Sequence, residues 1–144
     1  MSHSFEVRRR IAAPIQDVWD TVVDHRGYKN WTPVVTSRLE HLGSPDENGV
    51  GALRALGVGP IGAKELVVEF EPEKFHMGYE LVKGVPVTGY RADVYLTSDG
   101  DATELVWRGR FQSAPPGMAK ALNAFLRNIV ADTAKRLDRR VTRR

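Results

Sequence analysis

The segment Ala114–Arg140, APPGMAKALNAFLRNIVADTAKRLDRR, decides how the rest of the chain must be arranged. Its apolar residues recur at three-to-four spacing, which places them on one face of a helix: Met118, Leu122, Phe125, Leu126, Ile129, Val130 and Leu137. The spacing predicts one long helix from Pro115 to about Arg140. A helix of this kind cannot bury its apolar face alone, so we expect it to lie on a sheet built from the preceding residues.

The residues before this helix form strand-like runs separated by turn-forming residues. The predicted strands are Phe5–Ile11, Val34–Leu42, Val50–Leu56, Lys64–Phe70, Phe75–Val82, Val87–Thr97 and Thr103–Gln112. Pro14 opens a short helix after the first strand, and Asp24–Lys29 is predicted as a second short helix or turn. The short connections between later strands favour an antiparallel sheet, so the predicted fold class is α+β in one domain, residues 1–144.

Composition excludes several classes of site. The 144 residues contain no cysteine, so neither disulfides nor cysteine metal sites are possible. There is no apolar run long enough for a transmembrane helix and no signal-peptide pattern at the N-terminus, so we expect a cytoplasmic protein. The net charge of +3 is concentrated in arginines near both ends. Those arginines indicate either solvated helix ends or a patch for anionic partners, and without interleaved aromatic residues we expect no nucleic-acid partner.

Several short patterns resemble those of the START-like (SRPBCC) superfamily, and within it the polyketide cyclase/dehydrase-like family of small bacterial proteins. The stretch Ile11–Asp24 is similar to the opening I-x-A-P-x-x-x-V-W-x-x-V-x-D. Further similarities are Trp31-x-Pro33, Gly49-x-Gly51 leading to Arg54, Glu69-Phe70-Glu71-Pro72 and Thr103-x-Leu105-x-Trp107. The resemblance implies the helix-grip fold: a curved seven-stranded antiparallel sheet wrapped around the long C-terminal helix, with two short helices between strands 1 and 2.

Turn positions predict which residues face each other across the sheet. A hairpin centred between Gly59 and Pro60 places Arg54 opposite Glu65, where their opposite charges attract. Facing inward, the pair would polarise a cavity; facing outward, it would be a weak surface pair. The resemblance favours the inward arrangement. One residue of ambiguity in the next turn leaves open whether Glu65, Val67 and Glu69 or Leu66, Val68 and Phe70 face inward.

The last hairpin, centred near Gly100, predicts a wholly apolar inner face. It pairs Leu96 with Leu105, Val94 with Trp107, Ala92 with Gly109 and Tyr90 with Phe111, and it leaves Arg91, Asp93, Tyr95, Arg108 and Arg110 toward solvent. Across the preceding turn, Tyr79 falls near Tyr90. The small residues Ala92 and Gly109 leave space beneath the helix, either as a ligand cavity or as room for Phe125 and Met118. Trp31 is expected at the cavity mouth or in the core.

Catalytic signatures are weak in this sequence. The four histidines, His3, His25, His41 and His76, have no metal-ligand spacing, and Gly57-x-Gly59-x-x-Gly62 lies in a predicted hairpin, not in a phosphate loop. An enzyme of the polyketide cyclase or dehydratase type would use Glu65 and Tyr90 as acid/base residues. An arginine beside Glu65 would favour the charged carboxylate, and that argues for anchoring a polar group more than for proton transfer.

The leading hypothesis is therefore binding of a small hydrophobic molecule, such as a lipid, an isoprenoid or a polyketide, by a monomer or homodimer without a cofactor or metal. The predicted ligand-binding residues are Trp31, Arg54, Glu65, Tyr79, Tyr90, Trp107 and Phe125. The alternatives are the cyclase or dehydratase, and an interaction module that acts through the terminal arginines.

Overall fold

A computed structural model describes residues 3–58 and 61–142. In chain order its elements are β1 (His3–Ile11), α1 (Ile15–Val22), a 3₁₀ helix (His25–Asn30), β2 (Thr36–His41), β3 (Leu53–Val58), β4 (Ile61–Glu71), a 3₁₀ turn (Pro72–Lys74), β5 (His76–Lys83), β6 (Arg91–Asp99), β7 (Ala102–Phe111) and α2 (Ala119–Thr142). The element order matches the sequence prediction, with small shifts at the ends of elements. The predicted turn centre at Gly59 and Pro60, and the terminal Arg143 and Arg144, lie outside the described residues.

The seven strands form one antiparallel sheet in the order β1-β7-β6-β5-β4-β3-β2. Every strand from β2 to β7 therefore neighbours the next along the chain, while β1 pairs with β7 through Phe5 opposite Gly109. Short connections produce this meander because they cannot carry the chain across the sheet. With α1 and the 3₁₀ helix between β1 and β2, and with α2 last, the predicted helix-grip fold is confirmed.

The long helix packs over the β1 side of the sheet. Arg9 of β1 donates from Nε to Oδ2 of Asp138 on α2 over 2.7 Å, and Asn123 Nδ2 donates to the Ser4 carbonyl over 3.0 Å. Because Arg9 is paired with Leu105 of β7, both residues lie on the sheet face that meets α2. We call this face the inner face.

The residues that α2 buries are fewer than its periodicity predicts. The buried set is Leu126, Val130, Ala134, Leu137 and Asp138. Met118, Phe125 and Ile129 are exposed instead, Phe125 to 51%. The prediction that one face carries all seven apolar residues is therefore wrong, because the apolar positions cover more of the helix circumference than its contact with β1 can bury.

Strand register agrees with the sequence prediction in two hairpins. Arg54 lies opposite Glu65. Ala92 is paired with Gly109, Val94 with Trp107 and Leu96 with Leu105. The β6 strand begins only at Arg91, after an irregular segment in which Gly89 adopts a left-handed φ of 66°. Tyr90 therefore lies one residue beyond the ladder, and its carbonyl accepts a hydrogen bond from the Leu81 amide over 3.2 Å.

A β-bulge in β4 determines which of its residues lie on the inner face. Glu65 pairs with Leu81 and Val67 with Tyr79, so both residues lie on the inner face. The register then shifts between Val67 and Glu69. Beyond the shift, Phe70 packs near Trp19, with ring centroids 5.6 Å apart, while Glu69 bonds to Arg91. Neither regular alternation holds along the whole strand, because the extra residue reverses the facing of everything after it.

Candidate functional site

The inner face carries a buried ion pair between β3 and β4. Arg54 donates from Nε to Oε1 of Glu65 over 2.8 Å, and its terminal nitrogen lies 2.7 Å from the same oxygen. The Arg54 side chain is 2% exposed, whereas that of Glu65 is 14% exposed. The inward alternative is thus the one that the fold adopts. A guanidinium is buried at this depth only where charged and polar partners replace its lost hydration.

Two tyrosines and a histidine complete the surroundings of Arg54. Its guanidinium carbon lies 4.7 Å from the centroid of the Tyr28 ring and 4.5 Å from that of Tyr79. A further nitrogen lies 3.2 Å from Nδ1 of His25. Burial acts to lower the pKa of Arg54, but the Glu65 charge and the neighbouring phenols outweigh it, so the pKa is raised. Arg54 is therefore a permanent cation.

His25 connects this pair to the loop before β3. Its Nε2 lies 2.9 Å from the Asn48 carbonyl oxygen, which can only accept, so Nε2 carries the proton. Nδ1 is then free to accept from Arg54. Burial and the Arg54 charge lower the pKa of His25 to about 3, so the ring is neutral. Sequence reasoning missed both His25 and Tyr28. The one sequence feature that could have linked them is their three-residue spacing, which places both on one side of the short 3₁₀ helix.

The tyrosines predicted on the inner face lie beside this cluster. Tyr79 accepts a hydrogen bond at its hydroxyl from Nε1 of Trp107 over 3.2 Å. Tyr90 is a diagonal neighbour of Tyr79, since Tyr79 is paired with Ala92. Burial raises the pKa of both tyrosines. At neutral pH both phenols are therefore protonated, and they offer hydroxyl donors and acceptors without charge.

Two predicted ligand-binding residues, Trp31 and Phe125, lie at the edge of the Arg54 cluster or outside it. Trp31 is buried, and its ring centroid lies 4.9 Å from that of Tyr28, so it packs as part of the core beside the cluster. Phe125 is half exposed on α2 and does not fill the space over the sheet. The structure therefore brings together Arg54, Glu65, Tyr79, Tyr90, Trp107 and Trp31, and leaves Phe125 outside the buried cluster.

The expected gap at Gly109 is filled. A Cβ atom added there would lie 2.2 Å from Cζ of Phe5, whose ring covers the glycine from the neighbouring strand β1. The inference of free space from Ala92 and Gly109 is therefore wrong at Gly109, because it considered β6 and β7 without β1. Small residues in a sheet often accommodate an aromatic ring from the next strand in this way.

The outer face carries a second polar cluster that the sequence prediction assigned to solvent. His76 lies 2.7 Å through Nδ1 from Oε1 of Glu71 and 2.8 Å through Nε2 from Oδ1 of the buried Asp93. Arg91 bonds to both Asp93 and Glu69. The His76 ring also stacks on Tyr95 at 4.5 Å. Burial acts to lower the pKa of His76, but hydrogen bonds to Glu71 and Asp93 outweigh it and raise the pKa.

One potential cation site belongs to this outer cluster. Ligand atoms of Glu69, Glu71 and His76 lie within 4.8 Å of one another. Both His76 nitrogens already face carboxylates, and Arg91 already pairs with Glu69. Lys74 also lies 3.4 Å from Glu71, so the three carboxylates of Glu69, Glu71 and Asp93 face three basic side chains in one ion-pair network when His76 is protonated.

Comparison with known proteins places the chain in a family. The sequence profile described as "Polyketide cyclase / dehydrase and lipid transport" matches residues 2–142. The chain belongs to this family. The resemblance inferred from Ile11–Asp24 and the later strand patterns is thereby confirmed. A comparison with curated protein sequences finds no match.

Solved structures support the fold of this polyketide cyclase/dehydrase family member. A protein from Thermobifida fusca is 25% identical, with a TM-score of 0.82 over 97% of this chain and 93% of that chain. Norcoclaurine synthase from Thalictrum flavum, in complex with dopamine and hydroxybenzaldehyde, is 17% identical, with a TM-score of 0.79 over 99% and 88%. Ara h 8.0201 is 11% identical, with a TM-score of 0.82 over 100% of both chains.

Within residues 3–58 and 61–142, neither α2 nor any shorter helix is long and apolar enough to span a bilayer. Three of the clustered arginines form ion pairs: Arg8 with Glu6, Arg10 with Asp99 and Arg136 with Asp132.

Proposed function

We propose that the protein binds a small hydrophobic molecule, such as a lipid, an isoprenoid or a polyketide-like compound, between the inner face of the sheet and α2. The observation that carries this proposal is the Arg54–Glu65 pair, placed among apolar and aromatic side chains with Glu65 still 14% exposed. Sites for small molecules are mostly apolar and hold a few convergent polar groups that orient the ligand. The family description, which includes lipid transport, agrees with such a role.

Exposed side chains on α2, and Met118 just before it, give independent support. Met118, Phe125 and Ile129 remain exposed, and together with Leu122 they are spaced by four, three and four residues along the helix. This spacing aligns them as one apolar stripe beside the buried stripe. Exposed apolar surface of this kind commonly marks a ligand or partner site. We assign Phe125 to the border of the proposed binding site.

Native mass spectrometry of the purified protein, followed by solvent extraction, tests the proposal. We expect a co-purifying small molecule, or saturable quenching of tryptophan fluorescence by added isoprenoid alcohols, fatty acids or polyphenols. Phe125→Ser should weaken that binding severalfold. Val82→Ser is the matched control, because Val82 is also exposed but alternates with the inner-face residue Leu81. Absence of both an adduct and any saturable binding would refute the proposal.

A cyclase or dehydratase acting on polyketide-like substrates is the second candidate, favoured because Glu65 lies close enough to Tyr79 and Tyr90 for its charge to help raise their pKa. In this scheme Glu65 and Tyr90 exchange protons with the substrate. The raised pKa keeps Tyr90 protonated at neutral pH, so its hydroxyl can donate a hydrogen bond to the substrate but cannot act as a base there. Turnover of candidate polyketide substrates should then fall at least tenfold in Glu65→Gln and in Tyr90→Phe. Unchanged turnover in both variants would remove these residues from any mechanism.

A further inference from the structure

We propose that the inner-face cluster recognises its ligand through a neutral hydroxyl group, an alcohol or phenol, which donates a hydrogen bond to Oε2 of Glu65. This inference rests on the proposed function and specifies the polar end of the ligand. It also reverses a simple expectation, in which the buried cation Arg54 would bind an acidic ligand.

Each of the three guanidinium nitrogens of Arg54 already has a partner. Nε and one terminal nitrogen contact Oε1 of Glu65, and the other terminal nitrogen contacts Nδ1 of His25. The rings of Tyr28 and Tyr79 pack against the guanidinium. An acidic ligand would have to displace Glu65 from Arg54 or approach with the Glu65 charge beside it. The first route is costly because it leaves the Glu65 carboxylate buried without its cation, and the second because two negative charges then repel each other.

One carboxylate oxygen of Glu65, Oε2, is available to accept a hydrogen bond from a ligand. Both contacts from Arg54 fall on Oε1, and within residues 3–58 and 61–142 no side chain or backbone group donates a hydrogen bond to Oε2. An ionised carboxylate only accepts hydrogen bonds, and each oxygen can take two. The more exposed side chain of the pair is also Glu65. A ligand donor at Oε2 therefore completes the pair without breaking it.

The charge of the cluster favours a neutral donor over a cationic one. Arg54 and Glu65 cancel each other, and His25 is neutral because burial and Arg54 hold its pKa near 3. A ligand ammonium would gain attraction from Glu65 but would suffer repulsion from the adjacent guanidinium. A hydroxyl avoids that repulsion, and it can in turn accept a hydrogen bond from a protonated phenol such as Tyr90, whose pKa is raised by burial.

A matched series of naphthalenes tests the head group on the intact protein at pH 7. The four probes are 2-naphthalenemethanol, 2-naphthalenemethylamine, 2-naphthoate and 2-methylnaphthalene, compared by isothermal titration calorimetry. We expect the alcohol to bind at least tenfold more tightly than the carboxylate and the amine, and severalfold more tightly than the methyl compound. The shared ring keeps the apolar contribution constant.

The outcomes separate this inference from the proposed function. If none of the four probes binds, the apolar binding site itself is refuted. If all four bind equally, the site stands and the head-group assignment is wrong. Tightest binding of the carboxylate would show that Arg54 binds the head group of the ligand. Tightest binding of the amine would show that Glu65 selects a cation. Either result overturns the hydroxyl proposal.

Two variants add a control to the same series. Glu65→Gln replaces the open carboxylate oxygen by an amide donor once the amide oxygen turns to Arg54. The alcohol should then lose its advantage over the carboxylate, to threefold or less. Glu80→Gln removes an exposed carboxylate on β5 and should leave the ratios unchanged. Circular dichroism checks that each variant is folded, and the wild-type series decides the proposal if Glu65→Gln does not fold.

Discussion

Arg54 carries much of the physical chemistry of the candidate site. It is buried together with Glu65, two tyrosine rings and His25. Buried ion pairs contribute little net stability compared with apolar replacements, because both charges lose their hydration. Losing one partner alone is different, since the remaining charge stays buried without compensation. The pair is therefore better explained by specificity than by stability, and that explanation can be tested.

Arg54→Met is expected to destabilise the protein by about 3–5 kcal/mol, because it leaves Glu65 without its cation. The double variant Arg54→Met/Glu65→Leu should recover most of that loss, since it removes both charges together. Urea unfolding followed by tryptophan fluorescence measures the free energies. Equal stability of the single and the double variant would show that Glu65 is solvated well enough to need no partner.

His25 should make the protein sensitive to acid. Its folded pKa of about 3 lies below the usual value of 6.5, so the unfolded chain takes up a proton first as the pH falls. The contribution is present above pH 6.5 and is lost as the pH drops toward 3. Relative to His25→Gln, which can keep both hydrogen bonds, the wild type should lose about 2 kcal/mol between pH 6.5 and pH 5.

Urea unfolding of the wild type and of His25→Gln across that pH range measures this effect. The comparison removes the titration of the carboxylates, which is common to both proteins. Parallel stability curves would mean that His25 is protonated as readily in the folded protein as in the unfolded chain.

At the level of elements, the outer cluster joins three strands through one ring. His76 of β5 bonds to Glu71 of β4 and to Asp93 of β6. With a carboxylate at each nitrogen, both ring nitrogens donate when the ring is protonated, so the imidazolium form is favoured. The cluster lies just beyond the β4 bulge between Val67 and Glu69, where regular ladder pairing is interrupted. We infer that it secures the strands at this irregular point.

The contribution of His76 to stability should therefore depend on pH in the opposite direction to that of His25. Its folded pKa is raised above 6.5, so its stabilisation is complete below pH 6.5 and is lost as the pH rises through the folded value. The stability advantage of the wild type over His76→Gln should shrink by about 1 kcal/mol between pH 6 and pH 9. Thermal unfolding at both pH values measures it. An advantage that grows with pH would contradict the imidazolium assignment.

The two stripes of α2 should respond differently to substitution. Leu137 is fully buried, so Leu137→Ala should cost about 2–5 kcal/mol of unfolding free energy. Phe125 is half exposed, so Phe125→Ser should change stability by about 0.5 kcal/mol or less while weakening ligand binding. Chemical denaturation and probe titration on the same samples separate the two effects. A large stability loss in Phe125→Ser would show that its ring belongs to the core.

Across the whole molecule, the curved sheet brings residues far apart in sequence to one interior site. Arg54 and Glu65 come from one hairpin, His25 and Tyr28 from the 3₁₀ helix after α1, and Tyr79 and Trp107 from β5 and β7. The fold places the 3₁₀ helix against β2 and β3, where the Ser37 hydroxyl accepts from the Lys29 amide and donates to the Arg26 carbonyl. This packing places His25 within hydrogen-bonding distance of Arg54.

The order of elements, the pairing of Arg54 with Glu65 and the ladder between β6 and β7 were predictable from the sequence. Each of these depends on periodicity and turn residues close together in the chain. Three other features arise from packing between elements that are distant in the chain. The bulge in β4 reversed the facing of its second half, Phe5 from the distant β1 filled the space at Gly109, and His25 met Arg54, 29 positions further along the chain. These outcomes depend on which distant surfaces compete for the same volume, and local sequence patterns do not encode that competition.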